Sequence, residues 1–411
     1  MNMISSKNRI AIIGGGPSGI MAAAIASLKS FNEVFIFEKN EKLGKKLYIT
    51  GKGRCNITNA SPNEILMQNI SENPKFMFSA LNALNSDDLI KFLNRFGLKT
   101  KVERGNRVFP VTDRASDVTK TFEKILKDNL VNIRYESEVI SINKSNNMFI
   151  IETEKEVLQF DKVLIATGGL SYPSTGSTGD GYKFAKNFGH KIIDTKAGLC
   201  AIKLKDDFSS CNLLSLKNVE LSLYNKKRLI RKEFGELLFK DNAVSGPIVL
   251  TISNFIDTTK MKDIRLILDL KPALDFDILN DRILRELKKY DNSEIKTMMT
   301  SLLPKSLINI FLKRCKIDTK KKCNQISKEE RHNIIDNLKS FNLHFDSLED
   351  ISSAIITRGG IDIREINPAT MESKKCKNLY FAGEVLAISG LTGGFNLQIA
   401  FSTGYCAGMN L

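Results

Sequence analysis

Residues 10–38 read IAIIGGGPSGIMAAAIASLKSFNEVFIFE, and the fold is decided within them. The apolar run Ile10–Ile13 passes directly into Gly14-Gly15-Gly16-Pro17-Ser18-Gly19. An alanine-rich stretch, Ile20–Leu28, follows, and a second apolar run, Val34–Phe37, ends on Glu38. This order predicts strand, glycine turn, helix, strand and acid, the opening unit of a doubly wound α/β sheet. Gly14 permits the tight turn, Gly16 lets backbone approach a pyrophosphate, and Gly19 lets the helix pack close to the strand. The helix start at Pro17 and Ser18 offers unpaired N–H groups to phosphates. Glu38, nineteen residues beyond Gly19, stands where a carboxylate accepts ribose hydroxyls and repels a 2′-phosphate. The pattern implies an ADP moiety and leaves open whether NAD or FAD carries it.

Beyond Glu38, residues 44–56 (GKKLYITGKGRCN) are rich in glycine and cation. They are expected to form a loop that wraps phosphates and ring edges with backbone N–H groups. Residues 61–100 read as mostly helical, with a cap at Ser86, and Ser116 is expected to cap a helix to about Leu130. Val131–Tyr135, Val139–Ile142, Phe149–Thr153 and Val157–Phe160 read as one β-meander. Val163–Gly169, which holds Thr167, Gly168 and Gly169, reads as a buried parallel strand ending in small residues, where ligands lie in open sheets.

The composition changes at about Gly198, where short alternating strands begin, and helical patterns run from Ile278 to about Leu343. The opening chemistry then returns. Leu379–Phe381 leads to Gly383-Glu384, and Gly393-Gly394-Phe395-Asn396-Leu397 starts a last helix. An NAD domain is complete within one run of strands. A flavin needs a second backbone element at its ring, so this late return favours FAD. The expected organisation is a first FAD-binding part (1–197), a β-rich insert (198–275), a helical insert (276–352) and a C-terminal FAD-binding part (353–411).

A chain of 411 residues can bury a large core. No basic, apolar, small-residue leader precedes Ile10, and the apolar stretch Gly19–Leu28 is too short to span a bilayer, so a cytoplasmic chain without a membrane partner is expected. Seven scattered cysteines without a CxxC pair read as reduced thiols, and three histidines far from them give no metal site. The net charge is +15. It reads either as the mark of a polyanionic partner such as RNA or as the lysine-rich composition of an AT-rich genome. Two basic runs stand out as candidate RNA contacts: Lys226, Lys227 and Arg228, and then Lys313, Arg314, Lys316, Lys320, Lys321 and Lys322.

The runs TGKGRCNITN (50–59), SYPSTGSTGDGY (171–182), TRGG (357–360), MESK (371–374) and GGFNLQIAFSTGYCAG (393–408) resemble the BaiN-like flavoproteins over nearly the whole chain. The resemblance implies a Rossmann-like, two-dinucleotide-type FAD fold carrying an inserted β-barrel and a small helical domain. It also implies an FAD-dependent oxidoreductase similar to reductases of conjugated double bonds. One branch acts on a bile-acid enone and another makes dihydrouridine in large-subunit ribosomal RNA; other members carry an aminoacetone-oxidase label. The cofactor contacts then expected are Gly14, Gly16, Pro17, Ser18, Gly19, Glu38, Lys39, Lys45, Thr50, Gly51, Gly53, Arg54, Asn56, Val139, Thr167, Gly168, Gly169, Gly383, Glu384, Gly393, Gly394, Phe395, Asn396 and Leu397. One departure is visible: Ala387 stands where the family pattern has an aspartate.

Reduction of such a bond takes a hydride from flavin N5 and a proton from an acid. The resemblance places the loop of Cys55 against the ring. Beside Arg54 its thiol is expected below the usual value of about 8.5, which favours thiolate and opposes a donor role. Tyr172 is the rival acid, and Arg54 would stabilise an enolate-like oxygen. Uridine in ribosomal RNA, a small-molecule enone or amine, and a non-catalytic flavin-containing RNA-binding protein are the three readings. No second glycine fingerprint with an acid is present, so NAD(P)H as electron donor would bind transiently.

Overall fold

The structure, a computed structural model, describes residues 7–411. It divides into two compact units, one ending at Gly198 and resuming with Ile351–Leu411, the other spanning Leu199–Asp350.

The first unit is built on strands β1 (Asn8–Ile13), β2 (Asn32–Phe37), β3 (Asn132–Arg134), β4 (Lys162–Ile165) and β5 (Leu379–Phe381). They form one parallel sheet in the order β5-β4-β1-β2-β3. The central register pairs Ile13 with Phe37 on one side and with Ile165 on the other, so three strand ends finish level. Their side chains are buried, as the unbroken apolar runs require of a sheet covered on both faces. Helix α1 (Pro17–Ala26) starts with proline, whose missing N–H costs nothing in a first turn, and is buried from Ser18 to Ala26. It packs against the last helix, α2 (Phe395–Asn410). There Gly404 and Gly408 face the carbonyls of Ser18 and Ala22 so closely that a β-carbon on either glycine would collide with them.

Four local expectations change. Val131–Tyr135 does not open the meander. Its core, β3, pairs in parallel with β2 from Phe35–Asn132 to Phe37–Arg134, because β2 otherwise presents a row of unpaired backbone groups. Val139–Ser145, Met148–Thr153 and Val157–Phe160 make a three-stranded antiparallel sheet by themselves. Asn85 rather than Ser86 caps the helix Ser86–Arg95, in a capping box with Asp88, and the helix expected to start at Ser116 begins at Ala115. The glycine-rich loop is partly helical: Lys45–Gly53 coils into tight 3₁₀ turns broken at Thr50–Lys52.

The second unit holds a seven-stranded antiparallel sheet whose edge strands are Phe341–Leu343 and Phe345–Leu348. Only His344 separates those two strands, so the chain itself joins the sheet's opposite edges and rolls it. The helices Phe276–Lys289 and Lys305–Arg314 share one apolar core with the strands, built around Phe208, Phe239, Phe311 and Phe341.

Candidate functional site

A cleft with about 1250 Å³ of empty space, open solvent at its mouth included, lies beyond the carboxyl ends of β1, β2 and β4. Ligands bind at this place in open α/β sheets because the strand ends and helix starts expose backbone groups there. Its walls include Gly14, Gly16, Pro17 and Ser18 from the first turn and Glu38 and Lys39 from the end of β2. Lys45 and Thr50 come from the coiled loop, Val139 from the antiparallel sheet, and Thr167 and Gly168 from the end of β4. Glu384, Asn396 and Leu397 come from the last part of the chain. Both glycine-led helix starts therefore open on one cleft.

Each acid is already oriented. Glu38 is buried and accepts the Gly15 N–H at 2.8 Å with one carboxylate oxygen. Its other oxygen accepts the Asn40 backbone N–H at 2.9 Å and the Asn40 amide at 2.6 Å. The ribose-type acid and the glycine turn are thus tied together. Glu384 accepts the Thr357 N–H at 2.8 Å and the Ser171 hydroxyl at 2.9 Å. It also pairs with Lys46 at 2.9 Å. Lys39 pairs with Asp180 at 2.7 Å; burial alone would raise the Asp180 carboxyl, but Lys39 and Thr178 hold it below the usual range.

Other expected residues stand outside these walls. Gly19 packs onto the carbonyl of Gly14, Gly169 onto Thr357, and Gly383 onto the Ser18 hydroxyl. Gly393, Gly394 and Phe395 shape the start of α2, where Asn59 donates to the Gly393 carbonyl at 3.0 Å. Gly51, Gly53 and Asn56 belong to the coiled loop and its exit rather than the cleft lining.

The expected acids fare differently from their sequence reading. Arg54 turns away from Cys55 to pair with Glu103 at 2.9 Å and Asp113 at 3.2 Å, and it lies over the Phe109 ring at 4.0 Å. Cys55 is fully buried, and burial pushes its thiol up to about 12. The expected thiolate is therefore overturned: the neighbouring charge is spent on two carboxylates, and desolvation decides. Cys55, Arg54 and Tyr172 do not line the cleft. Lys46, passed over in favour of Lys45, does.

The basic runs also separate. Lys226, Lys227, Arg228, Lys313, Lys316, Lys320 and Lys322 are exposed. Arg314 is half-buried, pairs with Asp206 at 2.9 Å and covers the Phe341 ring at 4.2 Å, while Lys321 pairs with Glu330 at 2.6 Å. Two of the expected RNA contacts are thus engaged inside the second unit. Among the described residues no group of three or more His, Cys, Asp or Glu is placed to hold a metal ion, and no helix is long and apolar enough to cross a membrane.

The profile of the HI0933-like protein Rossmann domain matches residues 8–410. The chain belongs to the HI0933-like family. It is 29% identical over 404 residues to the 3-dehydro-bile acid delta(4,6)-reductase of Clostridium scindens, covering 98% of each chain. It is 30% identical over 405 residues to the ribosomal RNA dihydrouridine synthase of Escherichia coli, covering 97% of each. In fold it is similar to the 3-ketosteroid delta1-dehydrogenase of Sterolibacterium denitrificans, with a TM-score of 0.50 at 11% identity over 98% of this chain and 99% of that one. This HI0933-like chain is an FAD-dependent oxidoreductase.

The cleft fits that cofactor. A β-carbon at Gly16 would meet nothing, which leaves the turn open to a close-lying diphosphate. Thr167 borders the cleft and its buried hydroxyl has no hydrogen-bond partner among the described residues. The return of the chain at Glu384 and Leu397 gives the far end of an extended cofactor a second wall.

Proposed function

We propose that this protein reduces the C5=C6 bond of uridine in large-subunit ribosomal RNA, giving dihydrouridine. The observation that carries the choice of substrate is the display of seven exposed cations on the second unit, at Lys226, Lys227, Arg228, Lys313, Lys316, Lys320 and Lys322. A polyanion is the partner such a surface attracts. Full-length similarity to the dihydrouridine synthase supports the same reading.

Bound FAD supplies a hydride, and NAD(P)H, binding transiently, is the proposed source of electrons. The chain's own residues do the rest. Gly14, Gly16 and the N–H groups at the start of α1 cradle the diphosphate, and Glu38 accepts the ribose hydroxyls. Lys46 and Glu384 neutralise one another at the cleft wall, with Ser171 and Thr357 fixing the carboxylate. Lys46 Nζ also donates to the Ser171 hydroxyl at 2.6 Å, which fixes the ammonium at this wall. The proton added to the neighbouring carbon is assigned to Lys46, which lines the cleft, rather than to Cys55, whose thiol is buried outside it.

The comparable similarity to a bile-acid reductase favours a second reading, reduction of a small-molecule enone. Deleting the gene and mapping dihydrouridine in ribosomal RNA separates the two. Loss of one dihydrouridine, restored by the returned gene, is expected. An unchanged map, with NAD(P)H oxidised by the purified enzyme on an enone alone, would refute the RNA substrate.

A further inference from the structure

The hairpin formed by Ser215–Asn225 and Arg228–Lys240 turns at Lys226 and Lys227, and its first strand pairs with Ile264–Asp269 on the other side. Asn225 is opposite Arg228 in one pairing and Ile264 in the other, and the Lys226 N–H donates to the Asp263 carbonyl at 2.8 Å. Two stretches some forty residues apart in sequence thereby meet at one end of the rolled sheet. Lys226, Lys227 and Arg228 come from the hairpin turn, and Lys262 and Arg265 from the neighbouring loop and strand; all five are exposed. Among them stands one carboxylate, Asp263. Arg265 lies 6.0 Å from the ring of Tyr224, its partner in the register, which restrains the guanidinium at this end. The second basic run lacks this concentration, because Arg314 and Lys321 are committed to Asp206 and Glu330.

We propose that this end of the rolled sheet, Lys226, Lys227, Arg228, Lys262 and Arg265, is a docking surface for the phosphate backbone of RNA. The proposal rests on the ribosomal RNA reading above and locates its partner. Five cations on backbone held in register by a hairpin and its neighbour give a fixed array of positive charge. Such an array is matched by a chain of phosphates and is indifferent to base sequence.

The test measures binding of the FAD-loaded enzyme to a transcribed fragment of large-subunit ribosomal RNA across a series of KCl concentrations. The triple variant K226A/K227A/R228A is expected to make the slope of log K against log[KCl] shallower by about 2, and K262A/R265A by about 1 to 2. All these side chains are exposed, and retained flavin absorbance reports an intact first unit. The control K120A/K124A/K127A, three exposed lysines on the helix Ala115–Asp128 of the first unit, is expected to leave the slope unchanged. If wild-type enzyme binds RNA and the triple variant binds it equally, or if the control weakens binding as much, the docking surface is refuted while the substrate reading stands. If wild-type enzyme shows no salt-dependent binding to RNA, both fall. Binding to phosphatidylserine vesicles that depends on these five residues, with RNA binding independent of them, would also overturn the proposal.

Discussion

Replacing Glu38 by alanine removes a side chain that touches the glycine turn and stands at the expected ribose position. In the structure it accepts hydrogen bonds from Gly15 and Asn40 at 2.8, 2.9 and 2.6 Å. Truncation leaves the two backbone N–H groups without their partner at a buried position, which costs about 1–3 kcal/mol each and about 2–4 kcal/mol together once water fills part of the gap. For a unit of this size that lowers the melting temperature by roughly 5–15 °C. The acceptor for the ribose hydroxyls is lost as well. A hydrogen bond to a charged group contributes about 1.5–3 kcal/mol, so FAD is expected to bind about 10- to 100-fold more weakly. Absorbance of the flavin after dialysis reads occupancy, and a melting curve of the stripped protein reads stability separately. Full occupancy together with an unchanged melting temperature would show that the Glu38 carboxylate neither holds the turn nor meets the cofactor.

Two further outcomes follow from buried groups. Cys55→Ala is expected to keep its flavin and turnover within about threefold, and a hundredfold loss would restore the cysteine to the reaction. Its thiol also makes stability depend on pH. The folded value is raised from 9.0 to about 12, so the unfolded chain ionises first and stability falls as pH rises across that window. The loss is up to about 4 kcal/mol, and alkaline unfolding curves of the alanine variant should be flatter; parallel curves would contradict the burial argument. Arg314→Ala, which breaks the pair with Asp206 and uncovers the Phe341 ring, is expected to destabilise by about 2–4 kcal/mol in denaturant. Lys320→Ala should change stability by less than about 0.5 kcal/mol, and equal effects would mean that Arg314 is an ordinary surface cation.

Much of the nucleotide half was legible because its signals are local. Strand, glycine turn, helix and Glu38 lie within a few dozen consecutive residues, and the periods of strand and helix are written in the sequence itself. What escaped was settled by residues far apart. The alternation of 131–135 suits a meander as well as a parallel edge, and only the open flank of β2 selects the second. Arg54 adjoins Cys55 in the chain, yet its partners lie 49 and 59 residues away and take its charge. Lys45 and Lys46 are indistinguishable by composition; Glu384, 338 residues later, picks out Lys46. The run from Lys313 to Lys322 gave a cluster of charges but no sign that Arg314 would turn inward onto two aromatic rings.

The packing of α2 against α1 has a consequence for biosynthesis. Glu384, Asn396, Leu397 and Ala400 are translated after the whole of Leu199–Asp350, and they form one wall of the cleft. The edge strand β5 is equally late. The nascent chain therefore emerges with its first helix lacking α2 and its central sheet short of one strand, while the whole of Leu199–Asp350 is made in the interval. Flavin capture therefore waits for residues 384–400, and a chain cut ahead of Glu384 would be colourless.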